Sequence, residues 1–240
     1  MRIAMWSGPR NLSTALMYAF AARGDCAVWD EPFYAAYLAA TSLPHPMAAE
    51  VIAAGETDPA RVAAACLGPI PQAQRLFYQK HMTLHMIPGF DRGFLKGLTN
   101  VFLIRHPARV VASYAKKRES PTLLDIGFVQ QAELFDQVAQ MIGAAPPVID
   151  SATIRENPRQ ALSALCLRLG IPFTERMLRW TAGPKPYDGV WAPHWYNAVH
   201  LSTGFEDPEG DLPRLPANLA ALAEAALPYY EQLSRHGLGG

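Results

Sequence analysis

The sequence predicts an α/β fold, a three-layer sandwich with a mainly parallel central sheet. Five short apolar runs, typical of buried strands, alternate with segments of helical periodicity along the 240 residues. Four of these runs end in polar or charged residues, as strands do at the carboxyl edge of a parallel sheet. Half of the residues are apolar, which is enough for a sizeable core. We expect one domain over residues 1–240.

Composition excludes several classes of function. The 21 basic and 21 acidic side chains balance, which argues against a nucleic-acid-binding surface. No apolar run approaches the ~20 residues of a membrane span, and the first residues do not resemble a cleavable signal. Cys26, Cys66 and Cys166 fit neither a disulfide framework nor a metal-ligand spacing, so we expect a cytoplasmic protein without a metal. The oligomeric state stays open, a homodimer included.

The first strand and the turn after it predict an anion site. Residues 2–6 form an apolar run, and helical spacing begins at Leu12. The turn over residues 7–14 contains Gly and Pro and ends in Ser13 and Thr14, so it presents backbone N–H groups at the positive end of a helix dipole. With Arg10 beside them, these groups can hold a phosphate or a sulfate.

The second and third strands are predicted at 26–30 and 76–79. The second is followed by Glu31 and Pro32, and the third by Lys80 and His81. Between them, residues 34–70 are rich in Ala and interrupted by Pro and Gly, which predicts short helices forming a cap over the site.

The fourth strand, 101–104, ends in Arg105, and Pro107 suits the first turn of the helix that follows. Lys116 and Lys117 after that helix are interpreted as a solvated basic face. Helical spacing continues from Leu124 to Ile142, a fifth strand is predicted at 147–150, and Asn157 marks a helix start. Residues 183–211 have little periodicity and many Pro, Gly, Trp and Tyr residues, which predicts an irregular region. A last helix is expected over 217–235.

This order of motifs resembles the sulfotransferases that use 3′-phosphoadenosine 5′-phosphosulfate (PAPS), and the likeness covers most of residues 1–180. The family's 5′-phosphosulfate loop follows its first strand, where this chain has Arg10-Asn11-Leu12-Ser13-Thr14. Its 3′-phosphate motif is a strand-end Arg, a Pro and then a Ser eight positions after the Arg, and Arg105, Pro107 and Ser113 reproduce it. Glu31-Pro32 and Lys80-His81 resemble pairs that the family carries after its second and third strands. The resemblance implies a P-loop NTPase-like fold.

The resemblance also implies PAPS as co-substrate, without a metal. Residues 10–14 would hold the 5′-phosphosulfate, and Arg10 would neutralise charge on the bridging oxygen as the S–O bond breaks. Arg105 and Ser113 would bind the 3′-phosphate. Leu12 stands where many members have Gly. The family's basic loop near the C-terminus is absent, and Lys185 is the residue that could substitute for it.

For the small-molecule acceptor, His81 is the candidate general base, since a histidine of ordinary pKa, ~6.5, accepts a proton at neutral pH. Lys80 is the candidate that stabilises the sulfuryl oxygens. Glu31 could act as the base instead, but a role in orienting Lys80 or Arg10, or in binding the acceptor, is favoured, because a carboxylate in a phosphate site would repel the co-substrate. Phe33 and His85 are expected to contact the acceptor, with His85 a second candidate base.

Trp191, Trp195 and Tyr196 offer flat surfaces for an adenine or an acceptor ring, although core packing is the ordinary role of such residues. Two other functions stay open. One is a small-molecule kinase, although the chain has no G-x-x-x-x-G-K-[ST] motif. The other is a non-catalytic module that binds adenosine bisphosphate or another anion.

Overall fold

Five strands form one sheet in a computed structural model of the chain, which describes residues 1–43, 45–116 and 120–238. The strands are β1 (Arg2–Ser7), β2 (Cys26–Asp30), β3 (Leu76–Met82), β4 (Thr99–Ile104) and β5 (Val148–Asp150). They lie in the order β2-β3-β1-β4-β5, and every neighbouring pair is parallel. The predicted α/β fold with a parallel central sheet is confirmed.

The helices of the described residues alternate with these strands. They are α1 (Ser13–Ala21), α2 (Tyr34–Thr41), α3 (Ala48–Ala54), α4 (Pro59–Leu67), α5 (Pro107–Tyr114), α6 (Phe128–Ile142), α7 (Ser151–Glu156), α8 (Pro158–Arg168), α9 (Ala192–Trp195), α10 (Asn197–Leu201) and α11 (Ala217–Ser234). Short 3-10 turns lie at Pro71–Ala73, Thr83–His85, Gly93–Gly97 and Glu175–Leu178. Within the described ranges, no helix combines the length and apolar character that crossing a membrane requires.

Side chains alternate across β1 and so join the sheet to a helical layer on each side. Ile3 and Met5 pack with residues of α1 and α8 in one core cluster. Ala4 and Trp6 belong to a second cluster on the opposite face, which contains residues of α6 and α11. The strand is therefore buried on both faces, as parallel strands are when helices cover the sheet.

The segments outside the sheet differ in part from the expected pattern. The helix expected from Leu124 begins at Phe128, because Gly127 has a φ of 75° and Leu124 lies outside in a turn. Residues 183–211 contain α9 and α10 between irregular stretches. Residues 34–70 form α2, α3 and α4, and α2 and α3 share a hydrophobic cluster with Trp191 and Tyr196. Lys117 of the expected basic face lies outside the described residues.

Strand β3 is longer than the sequence pattern predicts. It includes Lys80 and His81, which pair in register with Asp30 of β2 and Trp6 of β1. Because neighbouring side chains in a strand point to opposite faces, Lys80 and His81 diverge. This divergence decides which of them reaches the functional site.

Candidate functional site

A cavity of about 670 Å³ lies at the carboxyl edge of the sheet. Predicted site residues from five separate segments line it: 10–14, Glu31, Lys80 with His85, Arg105 and Ser113. Three other predicted site residues, Phe33, His81 and Lys185, are not among its lining residues. The volume suits a drug-sized ligand, for which pockets of roughly 300–1,000 Å³ are typical.

The loop between β1 and α1 forms one wall of this cavity. Leu12 precedes α1 with a φ of 68°, and Arg10 has a φ of 63°, a left-handed conformation that a side chain makes unfavourable. No side chain caps α1, so the N–H groups of its first turn, from Ser13 onward, have no partner within the helix. The loop thus presents free backbone donors and a helix N-terminus to the cavity. Leu12 adopts the backbone region that glycine favours, without being glycine.

Arg10 and Arg105 meet at the same wall. Arg10 Nε donates to Ser113 Oγ at 3.0 Å, and Arg105 Nη1 donates to the carbonyl oxygen of Arg10 at 2.7 Å. Burial, and then the charge of Arg105, lower the pKa of Arg10. Among the residues that the structure describes, no carboxylate pairs with Arg10. An anion bound here would therefore supply the counter-charge that Arg10 lacks.

The ammonium group of Lys80 is surrounded by protein acceptors. It donates to Asp30 Oδ1 at 2.9 Å, to the Tyr196 hydroxyl at 2.8 Å and to Glu31 Oε1. Tyr196 in turn donates to Asp30 Oδ2 at 2.7 Å. All three N–H bonds of Lys80 are thus used within the protein, which corrects the expectation that they stabilise the sulfuryl oxygens. Lys80 instead holds Glu31 and Asp30 in place.

The carboxylates around Lys80 determine its ionisation. Burial acts to lower the pKa of Lys80, but the charges of Asp30 and Glu31 raise it well above its usual value. Burial raises the pKa of Asp30, and Lys80 opposes that shift. We therefore regard Lys80 as a permanent cation that balances part of a buried acidic cluster.

His81 is buried and does not line the cavity, which corrects its assignment as the general base. Its ring stacks on Trp6 with 4.3 Å between centroids, and its Nε2 lies 3.2 Å from Gln79 Oε1. Burial lowers its pKa to about 3, so the imidazole stays neutral. Since its position in β3 directs it to the face opposite Lys80, it cannot contact a molecule in the cavity.

His85, three residues past the end of β3, lines the cavity instead. Tyr34 and Tyr37 of α2 stack on its ring, with centroids 4.6 and 4.9 Å away. Its Nε2 lies 3.9 Å from Glu31 Oε2, and its Nδ1 is buried with no hydrogen-bond partner in the described chain. Burial lowers its pKa well below 6.5, and Lys80 and then His45 lower it further. His85 is therefore a neutral, oriented imidazole with one free nitrogen.

Phe33 and Lys185 also need correction. Phe33 is 1% exposed and packs against Phe90 and Phe94 in the core, so it does not contact an acceptor. Lys185 donates to the carbonyl oxygens of Thr181 and Gly183 at 2.7 and 2.6 Å, which holds its ammonium group in its own loop. It does not substitute for a basic phosphate-binding loop.

Sequence reasoning missed residues that line the cavity from α7. Arg155 and Ser151 lie on this helix, directly after β5, and the hydroxyl of Ser151 is buried without a partner in the described residues. Their position after a strand end was the available signal, but the expected helix started only at Asn157. The cavity is also lined by Trp191, Trp195 and Tyr196, the three aromatic residues for which core packing was the alternative.

A comparison with known proteins identifies the family of the chain. The sequence matches the family described as "Sulfotransferase domain" over residues 1–236. It is 37% identical over 234 residues to "Branched-chain-amino-acid aminotransferase-like protein 1" of Arabidopsis thaliana, and 36% identical over 235 residues to the protein of that name numbered 2. These alignments cover 98% of this chain but 42% and 41% of the relatives, so the chain spans less than half of their length.

Two solved structures are also similar. They are the "Sulfotransferase Domain from the Curacin Biosynthetic Pathway" and the "Sulfotransferase Domain from the Synechococcus PCC 7002 Olefin Synthase". Each has a TM-score of 0.49 and covers 93% of this chain, with 17% and 19% sequence identity. The matches cover 96% and 93% of those two chains.

Proposed function

This chain belongs to the sulfotransferase family, and from that membership we propose that it moves a sulfuryl group from PAPS to a hydroxyl, or less often an amine, of a small molecule. We further propose that residues 1–240 act as one domain in the cytoplasm. Its cysteines Cys26, Cys66 and Cys166 are free and buried, which suits a reducing compartment.

The observation that carries the proposal is the shared wall of Arg10, Ser113 and Arg105. A strand-end arginine and the loop before α1 are 95 residues apart in sequence, yet the guanidinium of Arg105 bonds to the Arg10 carbonyl. One cavity therefore offers two cationic groups and the free amides of a helix N-terminus. Such a set suits a nucleotide with a negative group at each of two positions. In this proposal Arg10 and the α1 amides take the 5′-phosphosulfate, while Arg105 and Ser113 take the 3′-phosphate.

For the acceptor we propose His85 as the general base. The acceptor oxygen forms a bond to sulfur while the bond from sulfur to the bridging oxygen of the donor breaks. The acceptor proton moves to the imidazole of His85, and adenosine 3′,5′-bisphosphate leaves with its new charge near Arg10. The stacked rings of Tyr34 and Tyr37 fix the imidazole plane. Base catalysis of this kind contributes about 10²–10⁴-fold.

Glu31 has a positioning role in this scheme. Its Oε2 lies on the Nε2 side of His85, where it can stabilise the imidazolium that forms, and its Oε1 accepts from Lys80. A second carboxylate, Asp30, is held by Lys80 and Tyr196. Lys80 thus acts on the reaction through Glu31.

One titration tests the donor assignment. Adenosine 3′,5′-bisphosphate is added by calorimetry to the full chain in a buffer with EDTA, and we expect micromolar-range binding. Arg10→Met should weaken it roughly 10- to 100-fold, because hydrogen bonds from a charged group are lost. Arg61→Met is the matched control, since this arginine of α4 is 75% exposed and pairs only with nearby carboxylates among the described residues. It should leave the affinity unchanged.

Two results would contradict the proposal. Tight Mg·ATP binding with no response to the bisphosphate would favour a kinase. Bisphosphate binding without transfer from PAPS to any of a broad panel of acceptors, unaffected by His85→Asn, would favour a non-catalytic module.

A further inference from the structure

The carboxylate of Glu209 lies among three arginines. Arg105 contacts both of its oxygens, with Nε 3.3 Å from Oε2 and Nη2 bonded to Oε1. Arg155 Nη1 lies 3.3 Å from Oε1, and Arg109 Nε lies 3.5 Å from Oε2. The Glu209 side chain is 9% exposed. Burial acts to raise its pKa, but hydrogen bonding and charge from Arg105 lower it overall.

Two of the three arginines that Glu209 contacts line the cavity already described. Arg105 and Arg155 both line it, as does Ser151, whose hydroxyl is fully buried and has no partner in the described part of the chain. Arg105 ends β4, whereas Arg155 and Ser151 lie on α7. Arginines that follow two neighbouring strands therefore converge on the carboxylate of Glu209.

The segment that carries Glu209 is held mainly by the same arginines. Residues 205–210 form neither helix nor strand, and all of 206–208 and 210 are exposed. Arg155 Nε donates to the Asp207 carbonyl at 2.8 Å, and Arg109 Nη1 donates to the Glu209 carbonyl at 3.3 Å. Glu206 adds an ion pair to Arg155 at 3.0 Å. Phe205 packs against Trp180 and the core, whereas residues 206–210 after it have little apolar packing to keep them in place.

The charges are not matched. Three guanidinium groups face two carboxylates, Glu206 and Glu209, which leaves one positive charge in excess. A phosphate monoester carries nearly two negative charges and has the oxygen geometry that guanidinium groups bind in pairs. The cluster is therefore better suited to a phosphate than to the single carboxylate at its centre.

We infer that Glu209 occupies the position of the donor's 3′-phosphate, so that residues 206–210 must move before the nucleotide can bind, and that Arg155 and Ser151 then join Arg105 as phosphate ligands. The inference rests on the proposed function, because it takes PAPS as the donor. It gives the chain an internal anion that competes with its co-substrate. It also makes Arg155 of α7 the third cationic group of the site, after Arg10 and Arg105, in the role that Lys185 does not fill.

The test compares two nucleotides on the full chain by calorimetry without metal. Adenosine 3′,5′-bisphosphate carries the 3′-phosphate and adenosine 5′-monophosphate lacks it. Glu209→Gln should raise the affinity for the bisphosphate on the order of 10-fold, because a neutral amide bonds to the arginines less strongly than a carboxylate does and so competes less with the phosphate. The same variant should change the affinity for the monophosphate by less than about 2-fold, since only a 3′-phosphate competes with the Glu209 carboxylate for the arginines.

Glu206→Gln is the matched control, because Glu206 is 57% exposed and its carboxylate pairs, within the described residues, with Arg155. It should change the bisphosphate affinity less than about 3-fold, as exposed pairs contribute little. Adding Arg155→Met to Glu209→Gln should reverse the gain in affinity for the bisphosphate but should not alter the affinity for the monophosphate. Circular dichroism checks folding, and Glu209→Ala repeats the measurement if the Gln variant unfolds.

The outcomes separate the two proposals. If the wild type binds the bisphosphate and neither Glu209 variant raises that affinity, this inference is overturned and the proposed function stands. Equal tightening of both nucleotides would also overturn it, because the effect would not involve the 3′-phosphate. No bisphosphate binding by any of these proteins would overturn the proposed function, and this inference with it.

Discussion

Replacing Lys80 by Met removes the cation from a buried acidic cluster while keeping most of the side-chain volume. The Lys80 side chain is 2% exposed, and that of Asp30 is 1% exposed. With Lys80 present, the formal charge of Lys80, Asp30 and Glu31 is −1, and without it the two carboxylates leave −2. The hydroxyl of Tyr196 would also lose a donor at 2.8 Å.

The expected cost follows from this geometry. Breaking a buried ion pair by removing one partner costs about 3–5 kcal/mol, because the other charge stays buried and unpaired. For a chain of this length, roughly 2–4 °C of Tm corresponds to each kcal/mol, so we expect Tm to fall by about 6–20 °C. Adding Asp30→Asn removes one of the two carboxylate charges that Lys80→Met leaves unpaired. The double variant should therefore recover about 1–3 kcal/mol relative to the sum of the single changes.

Urea unfolding followed by circular dichroism at pH 7.5 measures these free energies for the wild type, both single variants and the double variant. A destabilisation below about 1 kcal/mol for Lys80→Met would refute the reasoning, since it would place the ammonium in a solvated position. Strict additivity of the two changes would refute it as well. Loss of sulfuryl transfer with unchanged stability would restore Lys80 as a group that acts directly on the substrate.

The remaining predictions concern the two histidines near β3. His85→Asn should lower turnover about 10²–10⁴-fold and leave calorimetric bisphosphate affinity within about 2-fold, and loss of that affinity would contradict its role as base. Turnover should be level at neutral pH and decline only below pH 6.5, because burial holds the pKa of His85 well under that value, and a pH–rate profile with its acid limb above pH 7 would exclude this histidine. His81→Leu should keep the turnover of the folded protein. It should also flatten the acid loss of stability: as pH falls from 6.5 towards 3, only the unfolded wild type protonates His81, which costs about 1.4 kcal/mol per pH unit. Urea midpoints measured from pH 7.5 to 4.5 give this pH dependence for the wild type and for His81→Leu. The two pH dependences would be the same if His81 were solvated.

Local signals were sufficient for much of the fold. Each of the five strands contains a run of apolar residues that must be buried on two faces, and this property is visible in the sequence. Helix starts at Pro107 and Pro158 were also predictable, since His106 and Asn157 cap them with their own side chains. The family resemblance drawn from the motifs around Arg10 and Arg105 is confirmed by the family match.

The parts of the site that the sequence did not reveal depend on pairing between distant segments. Lys80 and His81 are polar, so the pattern ended β3 before them, yet Asp30 and Trp6 on the neighbouring strands accommodate them inside the sheet. Only the three-dimensional register shows that one faces the cavity and the other does not. The ion pair of Arg105 with Glu209 likewise joins residues 104 positions apart, and no local pattern encodes it.

The left-handed backbone at Leu12 has a consequence for how the loop behaves. A glycine there would be free to sample many shapes, whereas Leu12 also inserts its side chain against the core cluster beneath α1. The loop is thereby anchored to the buried core and keeps its shape before a nucleotide binds. The backbone strain at this point is a cost to folding stability, whereas the preset shape lowers the ordering entropy that binding would otherwise cost, so this loop works as a fixed template.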